Sequence, residues 1–211
     1  DYTGDTIPQI WLNALDTEAP LPDLFGATAA TAAMHPLPDM SAENCTEQLD
    51  VAGKWLDRLP HFRHEFTPSN GEELQSEFLL PLEQAPAALQ AVRGLADKLA
   101  PLLFVSEIRT VAADEFWVSP FYQQQSVALH FTWKPLQAEV EAVLPEREEA
   151  LRPFGARPHW GKLFTPSQYD FASLYPRFED FRALVQANDP SGKFRNELLD
   201  SVLGISAATH A

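Results

Sequence analysis

ELQSEFLLPLEQAPAALQAVRGLADKLAPLLFVSEIRTV, residues 73–111, is the stretch that decides the fold of this chain. Residues 73–82 are rich in large apolar side chains and predict a strand. A helix begins at Pro86 and ends before Pro101, because apolar residues recur on one helical face between the two prolines. Those residues are Leu89, Val92, Ala96 and Leu99. Residues 102–111 then predict a second strand.

The same order recurs in the next part of the chain. SVALHFTW, residues 126–133, predicts a strand by its β-branched and aromatic content. A helix follows from Pro135 to about Leu151, and ARPHWGKLF, residues 156–164, returns as a strand. A strand–helix–strand order that occurs twice is typical of the split βαβ unit. We therefore predict an α+β chain with a ferredoxin-like antiparallel sheet that carries its helices on one face.

The segments on either side of this core differ from it in composition. Residues 1–71 are rich in proline, and we interpret them as an irregular segment that packs on the core, with one possible strand at residues 6–13. The ferredoxin-like core covers residues 72–164. Residues 165–211 predict a C-terminal helical segment, with two short helices broken at Pro176, and a tail.

Composition excludes several classes of function. The 211 residues carry a formal net charge of −15 at pH 7, and the 15 Lys and Arg residues are scattered, so nucleic acid is not an expected partner. Cys45 is the only cysteine, which excludes an internal disulfide and a zinc site built on paired cysteines. No metal-site spacing surrounds the histidines outside the predicted core, and we expect no bound metal. These are His35, His61, His64 and His210.

Neither a membrane span nor a signal peptide is readable in the sequence. No run of about 18 apolar residues occurs. The opening residues 1–13 lack a basic start followed by an apolar stretch. We therefore expect a cytoplasmic protein with no membrane partner.

The placement of glycine bears on cofactor binding. The nine glycines are never closer together than six residues. Loops that cradle phosphate, such as GxGxxG, need clustered glycines so that the backbone can approach the anion. This chain has no such loop. Another polypeptide segment would have to hold the pyrophosphate of any nucleotide cofactor.

Alternation of side chains along the second and third predicted strands separates an apolar face from a polar face. Along the second strand, Phe104 and Ile108 share the face that we expect to pack on the helices, whereas Glu107 and Arg109 share the other. Along the third strand, the helix-side residues are Val127, Leu129, Phe131 and Trp133, and the opposite residues are Ala128, His130 and Thr132.

These two strands are neighbours in the ferredoxin-like order, so their polar side chains converge on one patch. The patch gathers a carboxylate, a guanidinium, an imidazole and a hydroxyl, from Glu107, Arg109, His130 and Thr132. Two interpretations stay open. The patch is either a functional site or a face that simply meets water, as the open faces of antiparallel sheets often do.

RPHWGK, residues 157–162, brings further polar groups to the end of the last predicted strand. His159 supplies an imidazole and Lys162 an ammonium, and Gly161 permits close approach by a ligand or another domain. The alternative is an ordinary strand end with Trp160 packed in the core.

Several motifs resemble the C-terminal half of the alditol oxidases, which belong to the vanillyl-alcohol-oxidase superfamily of FAD-linked oxidases. They are SEIRTVAADEFWVSP (106–120), ALHFTW (128–133), RPHWGKLF (157–164), YPRFEDFR (175–182) and DPSGKFRN (189–196), together with HFRHEFTPSNGEELQSEF (61–78). The resemblance runs over essentially the whole chain. RPHWGK alone also resembles the aldonolactone oxidases, whereas its combination with SEIRT and HFTW points to the alditol branch.

In that family an N-terminal half binds FAD, and the C-terminal half is a cap that covers the flavin and forms the polyol site. The resemblance therefore implies FAD as the cofactor, held mainly by a domain outside this chain, and a polyol and that domain as partners. The implied substrate-binding residues are Glu107, Arg109, Thr132 and Lys162. The implied flavin-side residues are Arg109, His130 and His159, and the implied catalytic residues are Arg109 and Lys162.

The implied activity is oxidation of the terminal carbinol of an alditol, such as xylitol or sorbitol, to an aldose, with O2 reduced to hydrogen peroxide. We expect this chain alone to be inactive. Two alternatives stay open: the cap of a sugar-1,4-lactone oxidase, and a ligand-binding module of the same fold without catalysis.

Overall fold

The computed structural model describes residues 2–19, 23–37, 40–66 and 73–205. The chain divides into two compact units. The larger comprises Asp1–Thr3 and Glu73–Ala211, and the smaller comprises Gly4–Glu72. His210 lies outside the described residues.

A four-stranded antiparallel sheet forms the centre of the larger unit. Its strands are β1 (Leu74–Pro81), β2 (Leu103–Val111), β3 (Ser126–Trp133) and β4 (Arg157–Pro158). Their order is β2-β3-β1-β4, and every neighbouring pair is antiparallel. This order, with helices between β1 and β2 and between β3 and β4, confirms the predicted α+β, ferredoxin-like fold. It also makes β1 and β3 the two central strands.

The first crossover contains two helices where the sequence predicts one. They are α1 (Ala85–Arg93) and α2 (Ala96–Leu99). The helix breaks at Gly94, and the Leu95 N–H then donates to the Val92 carbonyl at 2.9 Å, a tighter turn than the α-helical one. Glycine weakens a helix at this point because its backbone is the least restricted. The predicted inward face is confirmed, since Val92, Ala96 and Leu99 are buried.

The second crossover is α3 (Gln137–Leu151), which agrees with the predicted helix to within two residues at its start. Its buried face packs on the sheet together with α1. The core between helices and sheet contains Phe78, Leu80, Val127, Leu129, Phe131, Trp133, Val140, Leu144 and Leu151. The predicted helix-side residues of β3 are therefore confirmed, and each is at most 1% exposed.

The predicted packing of Phe104 and Ile108 against the helices is wrong. The two side chains are 53% and 43% exposed. β2 lies at the edge of the sheet, where the helices do not cover it, and a bulge between Leu103 and Val105 makes Phe104 an additional residue in the strand. Alternation assigned Ile108 to the same face as its cross-strand partner Leu129, but only Leu129 is buried.

The last strand is much shorter than the predicted strand at 156–164. β4 has only two residues, Arg157 and Pro158. The His159 N–H donates to the Glu77 carbonyl at 2.9 Å, and the Leu163 N–H donates to the Gln75 carbonyl at 2.8 Å. Between these two hydrogen bonds this segment advances four residues, whereas β1 advances two. The additional residues form a turn, which is closed by the Lys162 N–H on the His159 carbonyl at 3.0 Å.

The core also encloses a cation. Arg147 of α3 is fully buried over the rings of Phe78, Phe131 and Trp133, at 4.4, 4.5 and 5.1 Å from their centroids. Its Nη1 donates to the Ser76 hydroxyl at 2.8 Å. Burial lowers the pKa of the guanidinium to about 10, so Arg147 keeps its charge at neutral pH.

Three helices follow the sheet: α4 (Phe171–Leu174), α5 (Phe178–Asn188) and α6 (Glu197–Leu203). Helices on both sides of Pro176 confirm the predicted break, whereas α6 is missing from the prediction. Its signals are present, since the Asn196 side chain accepts from the Leu199 N–H and Gly204 ends the helix at φ 63°.

The other helices among the residues that the structure describes are short 3-10 helices. Those of the larger unit are Leu82–Gln84, Ala100–Leu102, Arg152–Phe154 and Pro166–Gln168. Those of the smaller unit are Ala42–Asn44 and Trp55–Asp57. Residues 6–13 form no strand, so that prediction is wrong. Within the described ranges, no helix combines the length and apolar character needed to cross a membrane.

The exposure of Ile108 at the edge of the sheet can be tested by comparison with a buried residue of the core. Leu129 has no exposed surface, whereas its partner Ile108 is 43% exposed. We expect L129A to lower the free energy of unfolding by about 2–5 kcal/mol because it leaves a cavity. The matched change I108A should cost about 1 kcal/mol or less. Urea unfolding followed by circular dichroism measures both, and equal losses would contradict the exposed placement of Ile108.

Candidate functional site

Polar side chains gather on the sheet face opposite the helices. Glu77 of β1 is paired with His130 of β3, and His130 is paired with Glu107 of β2. Since residues paired across strands project from the same face, these three side chains form one row across the sheet. Arg109 and Thr132 lie two residues along their strands from this row and share its face.

Glu77 is the centre of this cluster. Its side chain is only 7% exposed. One carboxylate oxygen, Oε1, accepts from Nη1 of Arg109 at 3.1 Å, and the other, Oε2, accepts from Nζ of Lys162 at 2.6 Å. A buried carboxylate is tolerated when charged donors satisfy it, and here a cation is bound to each oxygen.

Arg109 joins two carboxylates. Its Nε and Nη2 both donate to Oε2 of Glu107, at 3.0 and 2.7 Å, while Nη1 donates to Glu77. The side chain of Arg109 is 39% exposed and that of Glu107 is 25% exposed. The pair therefore reaches the surface of the sheet with its orientation already set by Glu77.

Lys162 reaches the cluster from the turn after β4. Its ammonium lies 2.9 Å from Nδ1 of His130 in addition to its contact with Glu77. Nε2 of the same imidazole lies 3.1 Å from the Thr132 hydroxyl. His130 is 5% exposed, so its ring connects Lys162 to Thr132 beneath the surface.

Trp160 secures the turn that carries Lys162. The indole makes edge contacts with the rings of Phe171 and Tyr175, both at 5.8 Å between centroids. These residues belong to a second apolar cluster built from the C-terminal helices. The packing of Trp160 in a core and a functional role for its neighbours are therefore compatible.

The structure brings together five of the six predicted site residues: Glu107, Arg109, His130, Thr132 and Lys162. His159 lies on the same turn as Lys162 but is exposed, and its Nδ1 accepts from the Gly161 N–H at 3.1 Å. Partial desolvation by the surrounding protein and the charge of Lys162 lower the pKa of His159. It stands beside the hydrogen-bonded cluster rather than within it.

Sequence reasoning missed Glu77. The signal was available, since alternation in LQSEFLLP places Glu77 opposite Phe78 and Leu80, which face the helices. The idea of a face that meets water is also wrong for the central strands, because Glu77 and His130 are 6% and 4% exposed. Leu79 and Ala128 on the same face are 2% and 1% exposed.

Opposing influences set the charge of Glu77. Burial by itself raises the pKa of this carboxyl, but the hydrogen bonds and charges of His130, in its protonated form, and of Lys162 outweigh burial and bring the pKa from its ordinary 4.5 to about 2. Glu77 is therefore ionised throughout the neutral and mildly acidic range.

This depressed pKa predicts a dependence of stability on pH. A carboxyl whose pKa is lower in the folded chain stabilises that chain above the unfolded pKa and loses this contribution as pH falls from 4.5 towards 2. Between pH 5 and pH 3 we expect the wild type to lose about 2 kcal/mol of unfolding free energy more than E77Q does. Urea unfolding at each pH measures the difference. The exposed Glu139 offers the control E139Q, which should follow the wild type, and parallel curves for wild type and E77Q would contradict the assignment.

Comparison with known proteins identifies relatives of this chain. The family model described as "ALO: D-arabinono-1,4-lactone oxidase" matches residues 69–202, which include every residue of the cluster. The chain is 53% identical over 206 residues to an alditol oxidase from Streptomyces sp. (strain IKD472 / FERM P-14339), covering 96% of this chain and 49% of that protein.

Lactone-oxidising proteins also match. The chain is 34% identical over 130 residues to an L-gulonolactone oxidase from Scyliorhinus torazame, covering 59% of this chain and 30% of that protein. It is 29% identical over 133 residues to an L-gulono-1,4-lactone dehydrogenase from Mycobacterium tuberculosis, covering 62% of this chain and 30% of that protein. This chain spans about half of the alditol oxidase and less than a third of the other two. The family model covers well over half of the chain, and the chain belongs to the D-arabinono-1,4-lactone oxidase family.

Proposed function

We propose that this chain is the substrate-binding half of an FAD-dependent oxidase that converts the terminal carbinol of an alditol, such as xylitol or sorbitol, to an aldose. O2 is the electron acceptor and leaves as hydrogen peroxide. The observation that carries this proposal is the preformed cluster around Glu77, in a chain that is 53% identical to an alditol oxidase over 96% of its length.

The cluster has the chemistry that a polyol requires. Each hydroxyl of a polyol both donates and accepts a hydrogen bond. Glu107 offers a carboxylate as acceptor, and Arg109 and Lys162 offer cationic donors. These groups are 25%, 39% and 17% exposed, so their ends are accessible while their partners beneath them are buried. A ligand laid on this face would find its polar partners already oriented.

The same face suits the polar edge of a flavin. Reduction places negative charge on the isoalloxazine, and the guanidinium of Arg109 supplies donors that match such an acceptor-rich edge. The exposed imidazole of His159 is a further flavin-side group, whereas the buried ring of His130 acts through Lys162 and Thr132. When bound, FAD supplies the hydride acceptor for the carbinol carbon and the electrons that reduce O2. The sequence has no clustered glycines for the pyrophosphate, so we assign that part of the cofactor to residues outside this chain.

In this proposal the catalytic residues are Arg109 and Lys162. Oxidation of the carbinol removes a hydride from the carbon and a proton from the hydroxyl. The proton passes to water, and negative charge grows on the alcohol oxygen as the proton leaves. Two cations already held by Glu77 stabilise this charge without having to reorient. Glu107 accepts from a neighbouring hydroxyl and keeps the substrate in register.

Arg109→Ala tests this role in the complete oxidase that contains the chain. We expect the rate of flavin reduction by the polyol to fall by about 10²–10³-fold, because a preorganised charge is lost from the transition state. Stopped-flow absorbance of the flavin measures this rate. Arg182→Ala removes an exposed guanidinium paired with Glu179 and serves as control, with an unchanged rate. Normal flavin reduction in R109A would rule out the assignment.

A sugar lactone is the second candidate substrate, favoured by the matches to the gulonolactone proteins across the same region. A panel of xylitol, sorbitol and gulono-1,4-lactone on the complete protein, with peroxide as the readout, separates the two. We expect the larger kcat/KM for an alditol, since the higher identity over nearly the whole chain is to an alditol oxidase. A larger kcat/KM for the lactone would assign the protein to lactone oxidation.

A further inference from the structure

The buried imidazole of His130 lies between three polar side chains. Nδ1 is 2.9 Å from Nζ of Lys162 and 3.5 Å from Oε2 of Glu77. Nε2 is 3.1 Å from Oγ1 of Thr132. A neutral imidazole carries one hydrogen, so the identity of these neighbours decides which nitrogen bears it.

The ammonium of Lys162 selects the tautomer. An ammonium has three donors and no acceptor, so the nitrogen that faces it at 2.9 Å must present a lone pair. The hydrogen of His130 is then on Nε2 and is donated to the Thr132 oxygen. The Thr132 hydroxyl accepts from His130 and keeps its own hydrogen for a different partner.

Glu77 is what holds Lys162 in this position. Oε2 binds the ammonium at 2.6 Å, and Oε1 is bound by Arg109 at 3.1 Å, which fixes the plane of the carboxylate. Without that negative charge the two cations would repel each other across the same small volume. Lys162 is 17% exposed, so release from Glu77 would let its flexible side chain turn to solvent.

We propose that Glu77 is a positioning residue: it holds Lys162 against His130, fixes His130 as the Nε2–H tautomer, and so makes the Thr132 hydroxyl a donor towards the ligand on the sheet face. Nothing in this arrangement requires Glu77 to touch the ligand. The hydrogen bond from Thr132 to an alcohol oxygen of the ligand rests on the proposed function. The tautomer of His130 is a property of the chain without its ligand.

The tautomer can be read by NMR of the 211-residue chain with ¹⁵N-labelled histidine, with the His130 ring signals assigned by their loss in His130→Asn. Wild-type His130 is expected to show a protonated Nε2 and an unprotonated Nδ1. Lys162→Met removes the ammonium and leaves Nδ1 facing Glu77, so the hydrogen should move to Nδ1. A wild-type hydrogen on Nδ1, or the same tautomer in K162M as in the wild type, would overturn the proposal.

Glu77→Gln tests the anchor itself. We expect the Nδ1 signal of His130 to move towards the position of a protonated nitrogen, because Lys162 is no longer held against it. The control E139Q changes an exposed carboxylate of α3 and should leave the His130 signals in place. A folded E77Q with wild-type signals would contradict the role of Glu77, and K162M decides the matter if E77Q does not fold.

The ligand side is tested in the complete oxidase. Thr132→Val should raise KM for the polyol about tenfold with little change in kcat, and Thr132→Ser should restore it, because only a lost hydroxyl donor is rescued by serine. An unchanged KM in T132V would overturn the donor role. A wild-type protein without oxidase activity would contradict the proposed function, whereas the tautomer of the ligand-free chain would still decide the role of Glu77.

Discussion

The ion pairs of one buried carboxylate, Glu77, hold the polar face of this molecule together. An ionised carboxylate in the middle of a sheet is costly unless charged donors replace water around it. Arg109 and Lys162 satisfy one oxygen each, from the two edges of the sheet, at 3.1 and 2.6 Å. Because the two cations share one anion, the positions of β2 and of the turn after β4 are linked through β1.

The fold supports this linkage from a distance. The turn that carries Lys162 is closed by the Lys162 N–H on the His159 carbonyl, and it is fixed by Trp160 against the aromatic rings of the C-terminal helices. Arg157, just before the turn, donates to the Pro120 carbonyl at 2.9 Å and lies over the Tyr175 ring. The C-terminal helices therefore help to define the site without supplying any of its polar groups.

The site consists of two layers. Glu77 and His130 form a buried layer whose hydrogen bonds run within the protein, and Glu107, Arg109, Thr132 and Lys162 form an outer layer that reaches the surface. Glu77 orients Arg109 and Lys162, and His130 orients Thr132. Arg109 in turn orients Glu107. Such preorganisation keeps the reorganisation cost low when a ligand arrives, which suits a site that must stabilise charge as it develops.

The sequence by itself determined the order of the four strands and of the helical crossovers between them, the pairing of β2 with β3 and the polar face that bears Glu107, Arg109, His130 and Thr132. Periodicity is a local property, and it decides which way each side chain points. Only the tertiary structure decided which side chains on each face of the sheet are buried. It left Phe104 and Ile108 exposed at an edge and buried Glu77 at the centre. It joined Glu77 to Lys162 across 85 positions of sequence, because burial and ion pairing depend on neighbours that only the folded chain brings together.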